Sequence, residues 1–178
     1  MADPSKFTIG SIAPGNPIME PLGRYFAEFD TLEFSLVIMF SHLLGNDNDQ
    51  HDTAMAIFKR INNISTRIQI LQDVVRARKM SKDVIEAIDA ICEQCVSANA
   101  RRNVYAHGVY ECADDGRVRL KTFVMSAQRK QATEFASVKQ LEHDIKIVQA
   151  ILVLALVWVG KVPFDAIKPS IETLRRKT

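Results

Sequence analysis

Arg102, Asn103 and His107 lie within six residues of one another in the stretch RRNVYAHGVY, residues 101–110 of a 178-residue chain. Arginine supplies a planar, permanently charged fork that suits a phosphate. Histidine is the side chain whose ordinary pKa permits proton transfer in both directions near neutrality. One arginine and one histidine, each present twice, could support attack of an RNA 2′-hydroxyl on the adjacent phosphate. One imidazole would take the hydroxyl proton, the other would protonate the leaving 5′-oxygen, and the guanidiniums would hold the charge developing on phosphorus. That chemistry calls for no metal and no cofactor. The competing reading is a plain helix end, where basic residues complement the dipole and Gly108 supplies the stop.

Helical spacing constrains the first reading. Five residues at 100° each leave Arg102 and His107 about 140° apart around the axis. Asn103 and His107, at i and i+4, share a face. An arginine and a histidine converge more easily when a second copy of the helix supplies the missing half, so a homodimer is expected.

The elements that must position these residues follow from periodicity. Leu22, Phe26, Phe29, Leu36, Phe40 and Leu43 recur at helical spacing and predict a first helix, stopped by GlyAsnAspAsnAsp at 45–49. The apolar pattern from Met55 to Val75 predicts one helix broken near Asn62 and Asn63, or two in succession. Ser81 is a candidate N-cap for the motif helix, which runs to His107. Beyond Gly108, two short strands around AspAspGly predict a hairpin over about 109–124. A final core helix is expected from about Ser137 to Val159; its apolar run at 150–159 is too short to span a bilayer. Pro4, Pro14 and Pro17, with Pro21 at the boundary, mark residues 1–20 as an irregular lead-in to a domain over 21–162. Residues 163–178 read as a short helix or a basic tail. The expected fold class is all-α: an antiparallel bundle of about five helices with a short β-hairpin inserted after the motif helix.

Polar residues interrupt the apolar lines. In the first helix the line Phe26, Phe29, Leu36, Phe40 passes through Glu33. In the motif helix the line Ile88, Cys92, Cys95 continues through Asn99 and Arg102. Breaking a buried ion pair leaves one charge without a partner, at a cost of ~3–5 kcal/mol. Two misplaced residues of opposite sign therefore predict a Glu33–Arg102 pair, either structural or part of a site.

Composition sets the outer bounds. The chain is 47% hydrophobic and 25% charged, ordinary values for a soluble globular protein. Its net charge of +2 and pI near 8.5 are too mild to announce nucleic-acid binding, so any basic surface is local. Three cysteines without a secretory segment point to reduced thiols and a cytoplasmic setting, with no membrane partner. Arg117, Arg119 and Lys121 fall on one face of a strand and could track an RNA backbone, with Tyr105 or Tyr110 stacking a base. The favoured reading of that row is simpler: cations on an exposed edge strand, which discourage edge-to-edge pairing. Cys92 and Cys95, with His107 and Cys112, have the residue types of a zinc site. They sit within helical periodicity, about 18 Å along the axis from His107, and are read as buried thiols.

The segment RNVYAH at 102–107, ending a helix at Gly108, resembles the Arg-x(4–6)-His signature of the HEPN superfamily, the higher eukaryotes and prokaryotes nucleotide-binding domains. Asn103 matches the polar residue common directly after the arginine, and FAEFDTLEFSL resembles the acidic first helix of that family. The resemblance implies a helical bundle that dimerises so that two motifs form one cleft. It implies a metal-independent endoribonuclease with Arg102 and His107 catalytic, Asn103 positioning and Glu33 holding Arg102; Asn99, from the interrupted apolar line, is a further supporting candidate. Toxin–antitoxin or phage-defence roles, with a cognate antitoxin or regulatory protein as partner, are what the resemblance suggests. Other members have lost catalysis and bind RNA, nucleotides or proteins, which is the alternative. The chain departs from some members in carrying Val109 two residues after the histidine, where they have a tyrosine; Tyr110 comes one residue later.

Overall fold

The computed structural model describes residues 7–9, 12–45, 48–113, 117–122 and 132–159. Within them are five helices and four strands: β1 Phe7–Ile9, α1 Met19–Leu44, α2 Asn48–Lys59, α3 Ile64–Ala77, α4 Lys82–His107, β2 Val109–Ala113, β3 Val118–Thr122, β4 Ala132–Ala136 and α5 Val138–Val159. The protein is a helical bundle with a small antiparallel sheet following the motif helix. Residues 163–178 and the AspAspGly turn lie outside the described residues. No helix among the described residues is long and apolar enough to cross a membrane.

The chain divides into two compact units, Met1–Ala27 with Ala100–Ile145, and Glu28–Asn99 with Lys146–Thr178. In the second, α1 buries Phe29, Leu32, Leu36, Met39 and Leu43 in alternating three- and four-residue steps, and Val37 and Phe40 widen that stripe. Ile64, Ile68, Leu71 and Val75 do the same on α3, and Ile88, Ile91, Cys95 and Ala98 on α4. The apolar pattern from Met55 to Val75 is two helices. The break is made by Asn63, whose side chain accepts a hydrogen bond from Ser65 N at 2.8 Å and caps α3. On α5, Ile151, Leu154 and Ala155 are buried, but Val153 and Leu156 are 57% and 46% exposed, so its apolar half is not enclosed on every side as expected.

In the first unit, Ser137 caps α5 by accepting from Gln140 N at 3.1 Å. The sheet has the order β1-β2-β3-β4, antiparallel throughout. The expected hairpin is β2–β3, with Glu111 opposite Arg119 and Tyr110 opposite Leu120. A strand flanks it on each side. β4 pairs with β3, and β1 pairs with β2 through Phe7 opposite Ala113 and Ile9 opposite Glu111. The stretch 1–20 is therefore not wholly irregular: three of its residues form an edge strand, too short for alternation to register in the sequence.

Candidate functional site at the end of α4

The last two turns of α4 carry Arg102, Asn103 and His107 in unbroken helix. Asn103 and His107 are exposed on their shared face, and Arg102 is half-buried. Arg102 Nη1 donates to Asn103 Oδ1 at 3.5 Å, a long bond. Among the described residues no carboxylate forms an ion pair with Arg102. Its charge acts on the phenol of buried Tyr25. That phenol's pKa is raised by burial first and by Asp144 second, with Arg101 and Arg102 pulling the other way.

The neighbouring arginine has a different fate. Arg101 Nε donates to Asp144 Oδ2 at 3.0 Å, and Arg101 Nη2 donates to the Tyr105 hydroxyl at 2.8 Å. The Tyr105 hydroxyl donates to the same Asp144 oxygen at 2.5 Å, and Gln140 Nε2 donates to the other at 2.8 Å. Asp144 is 5% exposed, so three donors surround a carboxylate withdrawn from water. The Arg101 guanidinium also lies over the Tyr105 ring, 5.1 Å from its centroid, and Tyr25 meets that ring edge-on at 5.0 Å. Burial, and next the bond to Asp144, raise the Tyr105 phenol so that it stays a donor. None of Arg101, Gln140, Asp144 or Tyr25 was singled out by sequence. The available signal was the position of Asp144 beside Leu141, Ile145 and Val148 on the core stripe of α5.

Where α4 ends, the chain enters β2 with only Gly108 between. Gly108 N donates to Val104 O at 3.0 Å. The Tyr110 hydroxyl, whose pKa burial pushes up to about 12, donates to Tyr105 O at 2.7 Å. Two of the carbonyls left open at the helix end are thereby satisfied. Gly108 is not in a left-handed conformation, so its role as a stop differs from the expected cap. It is small because β3 passes close: a Cβ there would collide with the Leu120 side chain and stand 2.6 Å from Val104 O.

The basic row on β3 is partly committed. Glu111, 4% exposed, accepts from Arg119 and, at 2.6 Å, from Lys121 Nζ. Its carboxyl pKa is lowered, first by the Lys121 hydrogen bond, against the opposing effect of burial, with Arg119 reinforcing it. Arg117 is exposed. Tyr105 does not offer a stacking platform for a base: it is 3% exposed, because its ring is packed against Tyr25. Tyr110 is half-buried with its hydroxyl in use.

Glu33 and Asn99 belong to the other unit. The partner of Glu33 is Arg67, at 2.8 Å, in place of the expected Arg102. The buried line on α1 passes through Leu32, which puts Glu33 one residue off it, half-exposed. Arg67 also donates to Ile61 O at 3.0 Å and Phe58 O at 3.2 Å, so this ion pair ties α1 to the junction of α2 and α3. Asn99 is half-buried on α4. Cys92 and Cys95 are buried thiols; burial raises both, Cys92 to about 12. Neither is suited to be a thiolate ligand at neutral pH.

A comparison with protein-family models, curated proteins and solved structures found no match in any of the three. The functional reading rests on the chemistry of the site. What α4 offers is a fork without a carboxylate partner among the described residues, an exposed imidazole and an amide, all on a helix end held by Tyr105 and Tyr110.

Proposed function

We propose that the chain is a homodimeric, metal-independent endoribonuclease of the HEPN type, acting in the cytoplasm in a toxin-like or phage-defence role. The observation that carries this reading is the contrast between adjacent arginines. Arg101 is neutralised by buried Asp144, whereas Arg102 makes no ion pair among the described residues and sits in the same six positions as exposed Asn103 and His107. A guanidinium without a carboxylate partner among the described residues suits an external anion such as a phosphodiester.

The two side chains diverge by about 140° on one helix, so the catalytic set is composed from two copies. One His107 takes the proton of the 2′-hydroxyl as its oxygen bonds to phosphorus. The partner's His107 protonates the 5′-oxygen as the P–O5′ bond breaks. The products are a 2′,3′-cyclic phosphate and a 5′-hydroxyl. The Arg102 pair carries the extra charge on the pentacoordinate phosphorus, and Asn103 orients it.

The test is cleavage of RNA in the presence of EDTA. Wild type is expected to produce 2′,3′-cyclic ends and to leave 2′-deoxy substrates intact. His107→Ala and Arg102→Ala are each expected to lower kcat by about a hundredfold or more, the loss of a general acid–base or electrostatic group. Equal cleavage by His107→Ala would refute the catalytic assignment. Binding of RNA without cleavage would support the alternative, an inactive HEPN-like binding module.

A further inference from the structure

Between Arg102 and His107 one side chain is buried, and it is Tyr105; Asn103, Ala106 and His107 are exposed, and Arg102 and Val104 are half-buried. A helix end fixed by so few side chains frays, because its last carbonyls lack intrahelical partners. Tyr105 opposes fraying at three points. Its ring meets Tyr25 at 5.0 Å, its hydroxyl donates to Asp144 at 2.5 Å, and its carbonyl accepts from Tyr110 at 2.7 Å. Asp144 is itself held by Arg101 and Gln140 on opposite oxygens, so the anchor point is rigid. The geometry points to Tyr105, seated on Asp144, as the positioning residue that fixes the azimuth of Asn103 and His107 at the end of α4.

The carboxylate has a second effect. By engaging Arg101 it leaves Arg102 as the guanidinium presented at the site, two residues of equal charge being sorted into an internal and an external role. What is positioned depends on the ribonuclease reading above; that Tyr105 does the positioning does not depend on it. Reacting groups displaced by about 1 Å lose around a hundredfold in rate, so loosening one helical turn acts on kcat and leaves substrate affinity nearly intact.

The experiment compares full-length wild type with Tyr105→Phe, which keeps the ring and its packing on Tyr25 and removes only the hydroxyl. Asp144→Asn, which keeps the size of the anchor, is the second variant. Histidine-labelled protein is read by heteronuclear NMR, with the His107 signal assigned from its loss in His107→Ala. Both variants are expected to shift and broaden the His107 Cε1–H resonance while leaving that of His51 in place; His143, next to Asp144 on α5, is expected to move with the substitution. Steady-state cleavage of RNA in EDTA is expected to show kcat reduced about tenfold or more and KM within about twofold. An unchanged His107 resonance in Tyr105→Phe overturns the proposal, as does an unchanged kcat in an active enzyme. A variant whose four histidine signals all shift has changed the whole fold and also counts against a local positioning role. If wild type does not cleave RNA, the ribonuclease reading fails and the NMR comparison still decides the role of Tyr105.

Discussion

Replacing Gly108 with alanine tests whether the exit from α4 is set by space. The backbone at Gly108 is not left-handed, so alanine meets no conformational penalty there. By itself the change would stabilise by about 0.4–1 kcal/mol through the unfolded chain. Against this, the new Cβ would press on Leu120, which is fully buried, and would stand 2.6 Å from the Val104 carbonyl oxygen. The leucine has little room to turn, and the carbonyl is backbone, so the helix end or β3 has to move. Overpacking of this kind costs ~1–3 kcal/mol. The net effect is a destabilisation of about 1–2 kcal/mol, which for a chain of this length lowers Tm by roughly 2–8 °C. Thermal and urea melts followed by far-UV circular dichroism measure it. Gly23→Ala is the companion: Gly23 lies within α1 with open space around its Cβ position. It is expected to gain up to about 1 kcal/mol in helix propensity. A Gly108→Ala protein as stable as wild type, or both variants shifting in one direction, would refute the close-approach argument.

Two further perturbations follow. The Glu111 carboxyl has a lowered pKa in the folded chain, so its contribution is present above the ordinary carboxylate value near 4.5 and is lost as pH falls through the lower, folded value. Acid melts between pH 5 and roughly pH 2 should show wild type losing more stability than Glu111→Gln; parallel curves would contradict the Lys121 and Arg119 pairing. Arg67→Ala removes hydrogen bonds to Glu33, Ile61 O and Phe58 O. It is expected to cost about 1–3 kcal/mol, and Arg67→Lys should recover little of it, because an ammonium cannot span three acceptors placed for a planar fork. Full recovery by lysine in a urea titration would count against that geometry.

The longer helices were legible because each buries a stripe that repeats over several turns, and an error of one residue does not hide it; α2 buries only Ala54 and Phe58 among its described side chains. That same one-residue error misled the polar assignments. The spacing Phe26, Phe29, Glu33, Leu36 and the observed Phe29, Leu32, Leu36 share two members and differ by 100° at the third. Glu33 looked buried because of that offset, and with it came the expected partner Arg102. On α4 the ambiguity lay between Arg101 and Arg102: the buried neighbours Ala98 and Tyr105 place both arginines at the margin of the stripe. Which one turns inward was decided by Asp144, more than forty residues away in sequence. No local pattern encodes that choice. The helix exit at His107 and Gly108 was legible as an end, but the reason for the glycine lay in Leu120 on another element. The flanking strands β1 and β4, of three and five residues, owe their existence to the hairpin they pair with, so nothing in their own composition announces them.

The register of β1 has a consequence for how the chain is made. Phe7 pairs with Ala113 and Ile9 with Glu111, contacts about a hundred residues apart, whereas β2 and β3 are neighbours in sequence. During synthesis at 5–20 residues per second, β1 waits roughly 5–20 s for its partner to exist. Closing that long loop adds entropic cost that the hairpin does not bear. The sheet is thus expected to assemble from its centre outward, with the strand made first docking late. Until it docks, one edge of β2, the strand that leaves the His107 turn, is open to pairing with another chain. Aggregation during expression would then be governed by residues 7–9, far in sequence from the strand they shield.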